Sequence, residues 1–147
     1  MFGRRKRLIT RLLLVEDEPL VAFDNEHTLT DAGFEIVATV DRVAPAIEVL
    51  QSGQVIDLIV ADIQLADGSG LDVARAAQAR AVPVLFVTGQ VPADARALAA
   101  AWLAKPYSPR DLVAAIQAID ARLSGEKARR LPAGLTLFDA PGGAVVP

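Results

Sequence analysis

Residues 57–70 read Asp-Leu-Ile-Val-Ala-Asp-Ile-Gln-Leu-Ala-Asp-Gly-Ser-Gly, and they constrain the fold more than any other stretch. An apolar run ends at the carboxylate of Asp62, and a turn rich in Gly, Asp and Ser follows at once. A run this short, rich in Ile and Val and flanked by turn residues, reads as a strand buried on both faces. Such strands belong to parallel sheets, which need a crossover segment between neighbours. Open sheets of this kind place their chemistry at the carboxyl ends of the strands. An Asp leaving the sheet there is either a turn former or a working carboxylate. Taken alone, the turn preference of Asp favours the first; the rest of the chain reverses it.

Leu12–Val15 is a first buried strand that delivers Glu16, Asp17 and Glu18 at its end. Pro19 suits the first turn of a helix, where its missing N–H costs nothing. Leu20, Val21, Phe23 and Leu29 give that helix an apolar side, with His27 on its flank and Gly33 as its stop. Phe34–Val40 reads as a strand, and Val43–Leu50 as a short helix closed by Ser52 and Gly53. Leu58–Ala61 is the third strand. Leu71–Arg80 is helical, with Leu71, Val73, Ala74 and Ala77 as its apolar side.

Pro83–Val87 is a fourth strand ending at Thr88 and Gly89, and Pro83 fits a first position that need not donate to a ladder. Pro92–Ala101 is Ala-rich and helix-capable but short. Trp102–Ala104 is a brief fifth strand that ends at Lys105 and Pro106. Ser108 caps a last amphipathic helix with Leu112, Val113, Ile116, Ile119 and Leu123 on one face. Five strands alternating with helices predict a doubly wound parallel α/β domain.

At 147 residues and 52% hydrophobic, the chain is long enough for one domain with a real core. A net charge of −3 argues against a nucleic-acid partner. The absence of cysteine excludes disulfides and thiolate zinc sites, and one histidine cannot build a metal cluster. Any metal should be a hard cation held by oxygen. Met1–Arg11 is basic and broken by Arg11, unlike a signal peptide, and no run reaches the length of a membrane span. The expectation is a cytoplasmic protein with no membrane contact.

The sequence divides into a basic arm (1–10), one domain (11–123) and a Gly/Pro-containing tail (124–147). The arm reads as a solvated tail, the alternative being a weak anionic contact. In the tail, Leu135, Leu137, Phe138, Val145 and Val146 sit among Gly and Pro. A disordered end is the plainer reading; the alternative has Leu135–Phe138 lying against the domain or a neighbouring chain.

The carboxyl ends of the strands then carry the function. They present Glu16 and Asp17, Asp62, Thr88, and Lys105. Crowded carboxylates repel unless a cation sits among them, and an oxygen-rich open site suits Mg²⁺. Asp62 kept ionised in this way can attack phosphorus. Mg²⁺ and Lys105 can neutralise phosphoryl oxygens in the transition state, with the Thr88 hydroxyl and the Gly89 N–H donating to the same oxygens.

These residues resemble the receiver domain of two-component response regulators. The motif pieces are Leu14–Glu18, Val60–Leu71, Phe86–Gly89 and Lys105–Tyr107, and the resemblance spans about residues 10–123. It implies a flavodoxin-like sheet of strand order 2-1-3-4-5. It implies Asp62 as phosphoacceptor, Asp17 as a direct Mg²⁺ ligand, Glu16 as a ligand through water, and Gln64 as a backbone carbonyl ligand. Thr88 would be the switch hydroxyl, Lys105 the phosphoryl-binding cation, and the Lys105–Pro106 bond cis.

Trp102 stands where the family usually carries a switch Tyr or Phe, and it reads equally as a core anchor. Thr88 and Lys105 are 17 positions apart, fewer than receivers usually have, so the fourth helix should be stunted. Phe86–Gln90 also resembles a Phe-Ala-Thr-Gly-x-Tyr subgroup, which would suggest a sensor histidine kinase of the HWE or a related type. The implied function is a single-domain regulator, not an enzyme but a phosphoacceptor with self-catalysed phosphoryl transfer and autodephosphorylation. It would signal by protein contact or by relay to a histidine phosphotransferase, as a monomer or weak dimer.

Three rivals remain. A phosphatase with an aspartyl nucleophile would want a second acid where Gln64 stands. A flavin module would want a phosphate loop after strand one. A pseudo-receiver that only binds a partner would be expected to lack part of the acidic set.

Overall fold

The computed structural model describes residues 7–127 and 131–139. In chain order the elements are β1 (Arg11–Val15), α1 (Pro19–Asp31), β2 (Glu35–Val40), α2 (Val43–Gln51) and β3 (Leu58–Ala61). A small hairpin of β4 (Gln64–Leu65) and β5 (Gly68–Ser69) leads into α3 (Gly70–Gln78), then β6 (Val84–Thr88). A 3₁₀ turn (Ala93–Ala97), β7 (Ala101–Ala104), α4 (Pro109–Leu123) and β8 (Leu135–Leu137) complete the fold.

The main sheet runs β2-β1-β3-β6-β7-β8. Its first five strands are parallel, in the expected order 2-1-3-4-5. Alternate residues of a strand face opposite sides, and here both sides are covered. Leu12, Leu14, Leu58, Val60, Leu85 and Val87 pack with α1 and α4 residues Leu29, Leu112 and Ile116. Leu13, Val15, Ile59, Ala61 and Phe86 pack with α2 and α3 residues Ala46, Leu50, Val73 and Ala77. The unbroken apolar runs of the sequence follow from this double burial.

Two helices differ from their sequence reading. In α1, Leu20 and Phe23 are exposed, and the inward stripe is Val21, Asn25 and Leu29, four residues apart in turn. The segment between β6 and β7 forms only the five-residue 3₁₀ turn, the shortened fourth helix taken to its limit. Geometry accounts for it. The strand it must return along rises about 16 Å, which an α-helix spans in about 11 residues. Residues 89–100 cannot supply those and two turns as well, and a 3₁₀ turn rises further per residue.

The sheet also has a sixth strand: Leu135–Phe138 lies against the domain, the alternative to a disordered end, though no strand was expected there. β8 lies antiparallel to β7, with Thr136 opposite Trp102 and Leu135 opposite Leu103. Leu135 and Phe138 are buried, so this part of the tail belongs to the core, whereas Val145 and Val146 lie outside the described residues. At the other end, residues 1–6 of the basic arm lie outside the described residues, and residues 7–9 are fastened to the domain. Leu8 and Ile9 donate their N–H groups to Asp120 of α4 at 3.0 and 2.8 Å, and Arg7 stacks on the Phe34 ring.

Candidate functional site

Three of the parallel ladders, β1–β2, β1–β3 and β6–β7, continue one residue past their strands, and this fixes the side chains of the carboxyl edge. The N–H of Glu16 donates to the Val40 carbonyl at 2.9 Å, that of Asp62 to Val15 at 3.0 Å, and that of Lys105 to Thr88 at 3.0 Å. Backbone register therefore sets Glu16, Asp62 and Lys105 side by side above β1, β3 and β7. The Lys105 ammonium donates to Asp62 Oδ2 at 2.8 Å and to Glu16 Oε1 at 3.2 Å. Asp62 Oδ1 accepts from the N–H groups of Ile63 at 2.6 Å and Gln64 at 3.3 Å. Glu16 Oε2 accepts from the Glu18 N–H at 3.1 Å.

Asp17 adds a third acid. One carboxylate oxygen from each of Glu16, Asp17 and Asp62 lies within 4.8 Å of the others. Glu16 and Asp62 are buried, and Asp17 is the more open of the three. Burial raises the Glu16 carboxyl above its ordinary value, an effect the Glu18 N–H and the Lys105 charge reverse only in part. Burial also works against the charge on Lys105. Its hydrogen bond to Asp62 and the charges of Glu16 and Asp62 outweigh that, so the ammonium is held above the usual lysine range.

Thr88 closes β6 and is buried. With Gly89, Ile63 and Gln64 it lines a cleft of about 420 Å³ beside Asp62. The Thr88 carbonyl accepts twice, from the Lys105 N–H and from the Trp102 indole N–H at 2.9 Å. Trp102 itself is half-buried against the core. The Lys105–Pro106 peptide is cis. Thus Glu16, Asp17, Asp62 and Lys105 converge directly, Thr88, Gly89 and Gln64 line the adjoining cleft, and Trp102 reaches the site through the Thr88 carbonyl.

The loop after Asp62 is built by turn residues to which the sequence reading gave no individual roles. Asp67 accepts from the N–H groups of Val43 at 2.6 Å and Ala44 at 3.1 Å, so it caps α2 from a distance. Ser69 caps α3 by accepting from the Leu71 N–H. Gly70 donates to the Ile63 carbonyl at 2.6 Å, and a Cβ at Gly70 would collide with the Asp62 carbonyl. Asn25 was missed as well; the signal available was a polar residue on the inward stripe of α1.

A doubly wound parallel sheet with an acidic, lysine-bearing pocket at its carboxyl edge is the architecture of a receiver module. The chain matches the model of the response regulator receiver domain over residues 12–117, and it belongs to that family. It is 34% identical over 114 residues to the phyllosphere-induced regulator PhyR of Methylorubrum extorquens, covering 74% of this chain and 43% of that protein. A response regulator receiver protein of Sinorhizobium medicae has a solved structure that superposes with a TM-score of 0.66 at 32% identity, covering 76% of this chain and 94% of that one. The response regulator PhyR of Brucella abortus superposes at 0.64 and 29% identity, covering 82% of this chain and 51% of its own. The chain spans about half the length of the curated relatives it matches. Among the described residues, no helix is long and apolar enough to cross a membrane.

Proposed function

We propose that this chain is a phosphoacceptor receiver in which Asp62 takes a phosphoryl group from a histidine kinase or histidine phosphotransferase. The observation that carries this reading is the contact of Lys105 with Asp62 beside two further acids. The Asp62 oxygen attacks phosphorus as the bond from phosphorus to the donor's imidazole nitrogen breaks, and the imidazole keeps the electron pair. The Lys105 ammonium, already on the carboxylate at 2.8 Å, is placed to follow the charge onto the phosphoryl oxygens. Ile63 and Gln64 N–H groups hold the other carboxylate oxygen and fix the nucleophile's orientation.

The donor set fits Mg²⁺: oxygens only, close together, with one carboxyl whose charge burial disfavours. Asp17 and Asp62 would hold the ion directly, Glu16 through water, with Gln64 offering its backbone carbonyl. Bound there, Mg²⁺ supplies charge neutralisation to the acids and the transferring group. Thr88, with the Gly89 N–H, would bind a phosphoryl oxygen, and Trp102 would carry its displacement outward. The phosphorylated form then signals by protein contact or passes its phosphate onward, in the cytoplasm, as a monomer or weak dimer. An HWE-type kinase is the partner the Phe86–Gln90 motif favours.

Incubation with acetyl phosphate and Mg²⁺ should add one phosphate to the intact mass, and Asp62→Ala or EDTA should abolish the adduct. An adduct on the Asp62→Ala protein would refute the assignment.

A further inference from the structure

Asn25 is only 7% exposed, in the middle of α1, on a stripe otherwise given to Val21 and Leu29. It is paired with Tyr107, 82 positions away in sequence. The Asn25 Nδ2 donates to the phenol oxygen at 2.9 Å, and the phenol hydroxyl donates to Oδ1 at 3.2 Å. Each group thereby meets both a donor and an acceptor. Burial raises the phenol's pKa, so the hydroxyl keeps its proton.

The blander account is that Tyr107 fills core space and its hydroxyl needs a partner. Its ring does pack against the α1/α4 side of the core. Phenylalanine opposite leucine would fill that space without burying any polar atom. What distinguishes the pair is its place. Tyr107 follows Lys105 by two residues, and Asn25 belongs to the helix that begins three residues after Glu16. The lysine loop is thus tied at one end to Thr88, through the Lys105 N–H, and at the other to α1. Between these ties the ammonium reaches Asp62 and Glu16. A lysine stem is flexible and its head strongly hydrated, so contact with a carboxylate depends on where the backbone starts it.

We propose that the Asn25–Tyr107 pair is a positioning device that holds Lys105 on the Asp62 carboxylate and thereby sets the rate of phosphoryl transfer, without touching the phosphoryl group. The proposal rests on Asp62 being the acceptor.

Tyr107→Phe, Asn25→Leu and the double variant test it. Each single variant should take up phosphate from acetyl phosphate about tenfold more slowly, as expected for a modest misplacement of a charge-stabilising group. Mg²⁺ affinity, measured by calorimetry, should not fall, because the acids are untouched and lose only a competing ammonium. Competitive acetylation read by mass spectrometry should show Lys105 more reactive in both single variants.

The double variant leaves no buried polar group unpaired, so it should melt like wild type while keeping the slow uptake and the reactive lysine. A double variant with wild-type melting, uptake and lysine reactivity would reduce the pair to packing and overturn the proposal. If the double variant melts early, Tyr107→Phe decides alone, and wild-type uptake with unchanged labelling overturns it. Phosphate uptake by Asp62→Ala would instead refute the acceptor assignment, while the labelling of Lys105 would still test the pair independently.

Discussion

At the scale of single residues, the site depends on carboxylates used in different ways. Glu16 and Asp62 are buried against an ammonium, whereas Asp67 is fully exposed and works through backbone N–H groups. The N–H of Val43 is the main cause that holds the Asp67 carboxyl below its ordinary value of 3.8. A depressed folded-state pKa means that the ionised form stabilises the fold above pH 3.8, a contribution lost as pH falls through the folded-state value. Asp67→Asn should therefore lower the melting temperature at pH 7, and the deficit should shrink as pH falls below 3.8 and on through the folded-state value. Melts at several pH values check this; a deficit that does not change with pH would mean the charge is not what matters. The placement of Glu16, Asp17, Asp62 and Lys105 at one edge was legible in the sequence because each lies one or two residues past an apolar strand, and strand ends can be read locally. Asn25 and Asp67 were not, because their partners lie 82 and 24 positions away and depend on the paths of intervening loops.

At the scale of elements, the parallel strands were legible to within a residue or two: β1, β3 and β6 because their apolar runs are buried on both faces, β2 and β7 because short apolar runs between turn residues mark them. β8 was not, since three residues flanked by Gly and Pro carry little strand signal of their own. Its order comes from the edge of β7, which would otherwise present unpaired backbone groups, and from the burial of Leu135 and Phe138. Two such side chains contribute about 1.5–3 kcal/mol each. Deleting residues 131–147 should lower stability by about 3–6 kcal/mol, a drop in melting temperature on the order of 10 °C for a domain of this size. It should also free the β7 edge for pairing between chains. A deletion variant that melts like wild type and stays the same size on a sizing column would show that β8 is not part of the domain's stability.

At the scale of the whole molecule, the short segment between β6 and β7 lies between the acidic pocket and the added strand. At one end, the Thr88 carbonyl holds both the Lys105 N–H and the Trp102 indole. At the other, Arg96 of the 3₁₀ turn stacks on the Phe138 ring at 5.1 Å, and Trp102 stands opposite Thr136 across the β7–β8 ladder. A shift of Thr88 toward a bound phosphoryl group would therefore pull on the segment and on β8 together. The 3₁₀ turn has poor hydrogen-bond geometry and few residues to hold it, so a modest bias is enough to change its population of ordered states. Amide hydrogen exchange with and without beryllofluoride, a phosphoryl mimic, should show altered protection at residues 89–102. The change should extend to residues 135–138 and spare the β1–β2 side of the sheet. Changes confined to the β1–β2 side, with 89–102 and 135–138 unaltered, would place the moving part elsewhere and sink the idea that the added strand reads the phosphorylation state.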